Sequence, residues 1–234
     1  MKNTTEAIRR KKGLSIIIPA AGTGTRMKAY GPKPLIKIGN QSIISRQIDI
    51  LKSCFYCPEI VVVSGYESCK VMNNLPRNIV KVENENYDST NVSRSLALGL
   101  RACTRDKVLV VYGDLFFNPE TFKNINLNSS CLFVDKSGCM TKDEVGCNIS
   151  NKKIQYLIPD IENKWAQIMY LKGAELEMFS KNVFNRDNDR KFGFEIINKC
   201  IEFGGKFDML TPNNMRVTDI DTSKDLLIAK KILA

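Results

Sequence analysis

Residues 14–35 of the chain read LSIIIPAAGTGTRMKAYGPKPL. The stretch opens with the apolar run LSIII, which is typical of a short buried strand in a parallel sheet. A loop follows that contains two spaced glycines, an arginine and a lysine. Glycine lets backbone amides approach a ligand closely, and successive amides that face the same way form an anion-binding concavity. The stretch therefore predicts a phosphate-binding loop directly after the first strand.

Two cations lie in this loop. Arg26 offers a planar fork to phosphate oxygens, and Lys33 offers a point charge in a segment that is stiffened by a proline on either side. The GxGxxG pattern is excluded because Met27 occupies the position of the third glycine, and the P-loop is excluded because no Gly-Lys-Ser/Thr opens a helix. Glycine spacing alone leaves one alternative open, an ordinary glycine turn with two surface cations.

Apolar runs alternate with helical patterns through the first half of the chain. Strands are predicted at 14–18, 59–63, 79–82 and 108–112, and helices at 42–53 and 91–103. This βαβαβ rhythm predicts an α/β fold with three layers, α/β/α, around a mostly parallel, Rossmann-like central sheet.

The second half of the chain has shorter elements. The predicted elements are strands at 131–134, 206–210 and 215–218, a hairpin at 146–150 and 153–157, helices at 175–184 and 189–202, and a final helix capped by Thr222. We expect one domain, residues 14–234, behind a basic tail, residues 1–13, with its two halves meeting at about residue 120.

The chain has 234 residues and a formal net charge of +10, which favours anionic partners. Its lysines are scattered, and no pattern of aromatic and basic strand residues points to nucleic acid. No apolar run approaches the roughly 20 residues that span a bilayer, and residues 1–13 lack the apolar segment of a signal peptide. We therefore expect a cytoplasmic protein without a nucleic-acid or membrane partner, and the sequence leaves its oligomeric state open.

Eight cysteines without a secretion signal are expected to be reduced thiols. Cys54 and Cys57 form a lone CxxC, and because the chain contains no histidine, a zinc site there lacks its other ligands. The alternative is a helix end that enters a turn at Pro58. The role of this pair, like that of the basic tail, stays open.

The pattern Ala-Ala-Gly-x-Gly-x-Arg-Met at 20–27, followed by Pro-Lys-Pro-Leu at 32–35, resembles the signature of the MobA-like, GT-A-like nucleotidyltransferase superfamily. These enzymes join a nucleoside triphosphate to a phosphorylated small molecule and release pyrophosphate. The segments IPAAGTGTRM and LIKIGNQSI are most similar to methylerythritol-phosphate cytidylyltransferases. The resemblance implies that the loop wraps a triphosphate and that Arg26 and Lys33 stabilise its charge. The implied loop contacts are Ala20, Ala21, Gly22, Thr23, Gly24, Thr25, Arg26 and Lys33.

A second segment at 84–100, NENYDSTNVSRSLALGL, resembles the base-binding segment of phosphocholine cytidylyltransferases and the helix start of the methylerythritol branch. The resemblance implies that Asn91 and Ser95 read the edge of the base at a helix N-terminus, and it favours CTP. Simple helix capping by Asn91 is the alternative. The resemblance also implies a nucleotide-binding half, about 14–120, and an acceptor-binding half, about 121–234.

Two further motifs, VVYGDLFFNP and TDIDTSKDL, place Asp114 just past a strand and Asp221 just before the last helix. The metal pair of the family matches these two residues, which implies Mg²⁺, with Mn²⁺ as a substitute, and makes Asp114 catalytic. One or two carboxylates suffice for magnesium, which keeps waters and takes phosphate oxygens. The methylerythritol enzymes carry His-Asp-Ala-Ala-Arg where this chain has Tyr-Gly-Asp-Leu, a departure that argues against their substrate and is closer to phosphocholine-type and sugar-phosphate enzymes.

A phosphate monoester is already anionic at neutral pH, so the implied reaction needs no general base. We expect the acceptor to enter from the second half, where Trp165, Tyr170, Lys172, Glu175 and Asp219 are candidates to contact it. For Trp165 the alternative is a ring that half-covers the core, and for Asp219 it is a position behind the metal ligands. Three alternatives remain: a sugar-1-phosphate nucleotidyltransferase that uses UTP, GTP or dTTP, a GT-A glycosyltransferase, and a non-catalytic nucleotide-binding protein.

Overall fold

The computed structural model describes residues 11–24, 27, 30–136 and 144–233. Its strands are β1 (Lys11–Ala20), β2 (Lys37–Ile38), β3 (Gln41–Ser42), β4 (Glu59–Ser64), β5 (Val80–Glu83), β6 (Arg105–Val111), β7 (Leu115–Phe117), β8 (Cys131–Asp135), β9 (Val145–Ser150), β10 (Lys153–Pro159), β11 (Lys164–Lys172), β12 (Phe207–Leu210) and β13 (Val217–Asp219). Its helices are α1 (Ile43–Cys54), α2 (Ser68–Asn73), α3 (Val92–Ala102), α4 (Gly173–Phe184), α5 (Gly193–Glu202) and α6 (Ser223–Leu233).

Nine strands form a central sheet in the order β5-β4-β1-β6-β11-β8-β12-β10-β9. The pairs β5–β4, β4–β1 and β1–β6 are parallel, because a helical crossover joins successive strands. The strand β11 is antiparallel to both β6 and β8, so the sheet as a whole is mixed. The predicted α/β fold is confirmed, while the mostly parallel sheet is correct only for the first half.

Two apolar layers cover the faces of the sheet. The helices α3, α4 and α5 pack on one face through side chains such as Leu96, Phe179 and Ile196, and α1 packs on the other through Ile44 and Ile48. Burial of each such side chain contributes about 1.5–3 kcal/mol relative to leaving it in water. These layers hold the ends of the parallel strands in fixed positions.

A third, smaller apolar cluster joins distant parts of the chain. Met27 and Ile36 from the loop after β1 pack with Phe116 of β7, and with Ile220 and Ile232 near and in α6. The C-terminal segment is thereby fixed against the glycine-rich loop, although the two lie at opposite ends of the sequence.

Several element boundaries differ from the prediction. The strand β1 begins at Lys11, inside the predicted tail, whose first ten residues lie outside the described part of the chain. Helix α5 begins at Gly193 rather than at 189, because residues 186–188 form a separate 3-10 turn. The strand β11 was not predicted, since Ala, Gln and Met in its sequence KWAQIMYLK are weak strand formers.

The cysteines that the structure describes are free. Cys131 and Cys147 are buried, and Cys139 lies outside the described residues. Within the described part of the chain, no helix has the length and apolar character needed to cross a membrane.

Candidate active site

A cavity of about 200 Å³ opens at the carboxyl ends of β1 and β6. Open parallel sheets bind ligands at such a place, beyond the ends of their strands. Its walls are the loop after β1, the turn after β6, the segment between β5 and α3, and the first turn of α3. The lining includes these residues of the predicted nucleotide site: Ala20, Ala21, Gly22, Gly24, Lys33, Asn91 and Ser95.

Three other predicted loop residues do not appear in that lining. Thr23 is described and half-buried, but it lies outside the lining of the cavity. Thr25 and Arg26 lie outside the described residues, so the predicted catalytic role of Arg26 stays a prediction.

Two glycines allow the walls of the cavity to approach each other. A Cβ on Gly113 would lie 2.7 Å from the Ala20 Cβ and 2.9 Å from the Pro19 carbonyl oxygen. Gly24 has a φ of +54°, and a Cβ there would lie 2.9 Å from the Lys33 Cγ. The loop after β1 therefore touches both the turn that carries Asp114 and the stem of Lys33.

We expect Gly113→Ala to lower the free energy of unfolding by about 1–3 kcal/mol, because the new methyl group overpacks the contact with Ala20. For a chain of this size, this corresponds to a fall of about 2–12 °C in Tm. Thermal melting measures the effect, with Gly22→Ala as the control, since a Cβ at Gly22 meets nothing within 4 Å. Equal melting temperatures for the two variants would contradict this packing.

Lys33 contacts two carboxylates at the edge of the cavity. Its Nζ lies 3.4 Å from the Asp114 Oδ2 and forms a second ion pair with the Asp221 Oδ1. Burial alone lowers the pKa of Lys33, but the charges of Asp114 and Asp221 outweigh it and leave that pKa raised. Burial raises the pKa of Asp114, and Asp219 and Asp221 add to that rise against the opposing effect of Lys33.

Backbone hydrogen bonds hold the two carboxylates together. The Ile220 N–H donates to the Asp114 carbonyl oxygen at 2.9 Å, which ties the segment before α6 to the turn after β6. The Asp221 and Thr222 N–H groups both donate to the Asp225 Oδ2, at 2.9 and 2.6 Å. Thr222, the predicted cap of the final helix, is thereby hydrogen-bonded to Asp225 in the first turn of α6.

The arrangement of Asp114 and Asp221 fits a magnesium ion. Both carboxylates already face one cation, the Lys33 ammonium, so they converge on a common point. Nowhere in the described ranges do three or more His, Cys, Asp or Glu side chains form a complete metal cage. Two carboxylates suit magnesium when nucleotide phosphates supply further oxygens.

A buried glutamine supports the same turn and was missed in the sequence. Gln47 of α1 is 2% exposed, and its Nε2 donates to the Tyr112 carbonyl at 3.0 Å and to the Leu115 carbonyl at 2.6 Å. These two carbonyls bracket Gly113 and Asp114, so Gln47 fixes the turn that presents the carboxylate. The only signal in the sequence was a polar residue on an otherwise apolar helix face.

The segment before α3 forms the opposite wall of the cavity. Asn91 is the N-cap of α3, and its Oδ1 accepts from the Val92 N–H at 2.8 Å, so the capping that was the alternative role is present. Ser95 is buried, and its Oγ accepts from the Nδ2 of Asn84 at 3.2 Å. Asn84, the first residue of the segment 84–100, also lines the cavity, but it was not selected as a site residue in the sequence.

The structure contradicts most of the predicted acceptor contacts. Because β11 is antiparallel to β6, Lys172 pairs with Lys107 at the end of the sheet away from the cavity. Lys172 contacts the Asn128 carbonyl there, and Glu175 at the start of α4 accepts from the Lys206 N–H. Tyr170, two residues before Lys172, is 2% exposed in the apolar core. The predicted acceptor roles of Tyr170, Lys172 and Glu175 are therefore wrong.

Trp165 lies nearer the cavity but offers no open ring face. It is 3% exposed, its Nε1 donates to the Ile168 carbonyl at 3.1 Å, and its ring meets that of Tyr112 edge-on at 5.7 Å. The prediction that Trp165 contacts the acceptor is contradicted, because this ring belongs to the core.

Asp219 lies near Asp114 but does not line the cavity, and its predicted contact with the acceptor stays a prediction. It pairs with Leu115, the residue after Asp114, and its Oδ1 lies 3.1 Å from the Lys164 Nζ. Lys164 also pairs with Glu144, and its side chain is 12% exposed. Burial alone lowers the pKa of Lys164, but Asp219 and Glu144 outweigh it and leave that pKa raised. Lys164 was missed because the strand that carries it was missed.

Comparisons with known proteins agree with this geometry. Residues 16–129 match the family model of the MobA-like NTP transferase domain. The bifunctional protein GlmU of Neisseria meningitidis serogroup C (strain 053442) is 34% identical over 113 residues, which are 48% of this chain and 24% of that protein. The chain therefore spans about a quarter of the length of this relative.

Two solved structures share the fold over nearly the whole chain. The CTP:phosphocholine cytidylyltransferase LicC of Streptococcus pneumoniae has a TM-score of 0.76 at 19% identity and covers 94% of this chain and 99% of its own. A UDP-glucose pyrophosphorylase complexed with UDP-glucose has a TM-score of 0.72 at 11% identity and covers 95% of this chain and 98% of its own. The predicted resemblance and the GT-A-like fold are thus confirmed.

Proposed function

We propose that this protein is a nucleotidyltransferase, and the match of residues 16–129 to the family model of the MobA-like NTP transferase domain supports this proposal. It transfers a nucleoside monophosphate from a nucleoside triphosphate to a phosphorylated small molecule and releases pyrophosphate. One observation carries this proposal: Lys33, Asp114 and Asp221 converge at the edge of a cavity whose other walls are the glycine-rich loop and the N-terminus of α3.

Each part of the cavity has a role in this reaction. The amides of the loop after β1 bind the triphosphate, and Asp114 and Asp221 hold Mg²⁺. When bound, the metal polarises a phosphoryl oxygen and neutralises charge in the transition state. In the reaction, the Lys33 ammonium moves away from the two carboxylates and contacts a phosphate oxygen. Positioning of two anions in this way supplies on the order of 7–11 kcal/mol in favourable cases, and fixed charges supply the remainder.

The acceptor enters from the second half of the chain, beside Asp219 and Lys164. Asp219 adjoins Asp114 because it pairs with Leu115, and the Lys164 Nζ lies 3.1 Å from the Asp219 Oδ1. A lysine at this point suits the phosphate group of the acceptor, whose anionic oxygen attacks the α-phosphorus without a general base.

Pyrophosphate release tests the proposal directly. Purified protein with Mg²⁺, each of the four NTPs and a panel of phosphorylated alcohols, sugars and amino alcohols is assayed for pyrophosphate. Release that requires both a triphosphate and a phosphorylated acceptor supports it. Nucleotide binding without release in any combination would instead favour a non-catalytic nucleotide-binding protein.

A second candidate is a sugar-1-phosphate nucleotidyltransferase that uses UTP, GTP or dTTP, which the fold shared with a UDP-glucose pyrophosphorylase favours. The same panel separates it, because only sugar 1-phosphates then support release. A GT-A glycosyltransferase binds a nucleoside diphospho-sugar and does not need a lysine beside a triphosphate. If the protein were such an enzyme, it would turn over nucleotide sugars and release no pyrophosphate.

We expect CTP to bind more tightly than UTP, GTP or ATP. The motivation is the buried Ser95 at the wall of the cavity, where the wrong base leaves a donor or acceptor unpaired at a cost of roughly 1–3 kcal/mol, or about ten- to a hundredfold in affinity. Calorimetry with each NTP measures the preference. Ser95→Val deletes the hydroxyl and should reduce the preference for CTP. Tighter binding of UTP or of a purine by the wild-type protein contradicts the choice of CTP and leaves the broader proposal standing.

A further inference from the structure

Asn84 is fixed on both its backbone and its side chain at the wall of the cavity. It follows β5, and its N–H donates to the Ser64 carbonyl at 2.8 Å, which extends the pairing of β4 with β5 by one residue. The side chain is 2% exposed and lies beside Ser95, which is 3% exposed. The hydrogen-bond pattern of a side chain held in this way is set by its neighbours rather than by water.

The orientation of the Asn84 carboxamide follows from one of these neighbours. The backbone N–H of Asn86 donates to the Asn84 Oδ1 at 3.2 Å. A backbone N–H has no acceptor capacity, so the oxygen and not the nitrogen of the carboxamide must face it. The Nδ2 group therefore points to the other side, toward α3.

Both hydrogens of that Nδ2 group have partners. One is donated to the Thr90 Oγ1 at 3.3 Å and the other to the Ser95 Oγ at 3.2 Å. Thr90 gives its own hydroxyl proton to the Asn86 carbonyl at 2.5 Å, so it accepts from Asn84 and cannot donate back. Ser95 is likewise an acceptor toward Asn84, and its own proton must point elsewhere. Ser95 also lines the cavity, so this proton can point into it.

We propose that Asn84 is a positioning residue for base recognition, which makes the Ser95 hydroxyl a hydrogen-bond donor toward the cavity. This inference rests on the proposed function. A chain of fixed polarity runs from the Asn86 N–H through the Asn84 carboxamide to Ser95 and then to the base. The ligand must therefore present an acceptor to Ser95. Uracil also has acceptors, at O2 and O4, so the proposal places ring position 3 of the base opposite Ser95: N3 of cytosine is an acceptor there, whereas N3–H of uracil is a donor.

Asn84→Asp tests this polarity at nearly constant shape. One carboxylate oxygen still accepts from the Asn86 N–H, but the other now accepts from Ser95, whose proton turns away from the cavity. Ser95 then presents lone pairs to the base. We expect the ratio of Kd for UTP to Kd for CTP to fall at least tenfold, measured by calorimetry. The ratio is the readout because the added charge weakens the binding of every triphosphate.

Three controls isolate the effect. Asn73→Asp adds the same charge at an exposed position and should leave the ratio unchanged. In a Ser95→Ala background, Asn84→Asp should change the ratio less than twofold, because the hydroxyl that it reorients is absent. If Asn84→Asp does not fold by thermal melting, Asn84→Ala serves instead: it frees Ser95 to point either way, and the ratio should approach one.

The outcomes separate this inference from the proposed function. If the wild-type protein binds nucleotides but neither the Asn84→Asp nor the Asn84→Ala variant changes the ratio, Asn84 does not position Ser95, and the nucleotidyltransferase proposal is unaffected. If Asn84→Asp still changes the ratio of the Kd values in the Ser95→Ala background, the inference is also wrong. If the wild-type protein binds none of the four triphosphates, the proposed function fails and this inference fails with it.

Discussion

Replacing Lys33 with alanine is expected to lower kcat by about 10²–10³, the usual cost of removing one fixed donor that stabilises developing charge. The side chain is 13% exposed, lies against Gly24 and already faces the end of the cavity where Asp114 and Asp221 converge. Its pKa is raised, so it carries a full positive charge at neutral pH.

A second effect of Lys33→Ala distinguishes a functional role from a structural one. Removal of the ammonium leaves Asp114 and Asp221 without their shared cation, so we expect Mn²⁺ to bind more tightly to the variant than to the wild-type protein when no nucleotide is present. Steady-state kinetics and electron paramagnetic resonance of Mn²⁺ give the two readouts. The control is Lys37→Ala, an exposed lysine on β2, which should change neither. Normal turnover in Lys33→Ala would show that this lysine takes no part in the reaction.

The parts of the site that could be predicted are those encoded in local sequence. The glycine-rich loop needs small residues directly after a strand, and Asn91 caps α3 through its own side chain, so both are visible within a few residues. Asp114 and Asp221 could be selected because each follows an apolar or strand-like run. Their meeting at one lysine depends on the fold, and here the resemblance to a known family supplied what the pattern could not.

The parts that could not be predicted depend on long-range pairing. Nothing local states that β11 runs antiparallel beside β6, and its direction decides that Lys164 rather than Lys172 lies near Asp219. Because this strand was missed altogether, the predicted acceptor contacts included residues that lie at the other end of the sheet. Gln47 and Asn84 were missed for another reason: each is a polar residue whose burial and partners exist only after the chain has folded.

Asp114→Asn is expected to lower metal-dependent turnover by about 10²–10³. Metal ions contribute several kcal/mol of charge stabilisation to such transition states, and each 1.36 kcal/mol is a factor of ten in rate. The substitution keeps the shape of the side chain, and the Asp114 carbonyl still accepts from the Ile220 N–H, so the turn should persist. It removes the negative charge, however, and with it one of the two carboxylates that converge on the same point.

Chelation and titration of metal complete this test. Wild-type protein treated with EDTA should lose turnover and regain it on addition of Mg²⁺ or Mn²⁺, whereas Asp114→Asn should need a much higher metal concentration for its residual rate. Asp49→Asn, at an exposed position on α1, is the matched control and should behave as the wild-type protein does. Melting temperatures without metal and nucleotide should be similar for all three proteins, because the role assigned to Asp114 is exerted only when both are bound. Full turnover in the presence of EDTA would exclude the metal and leave Lys33 and the loop amides as the groups that stabilise the transferred phosphate.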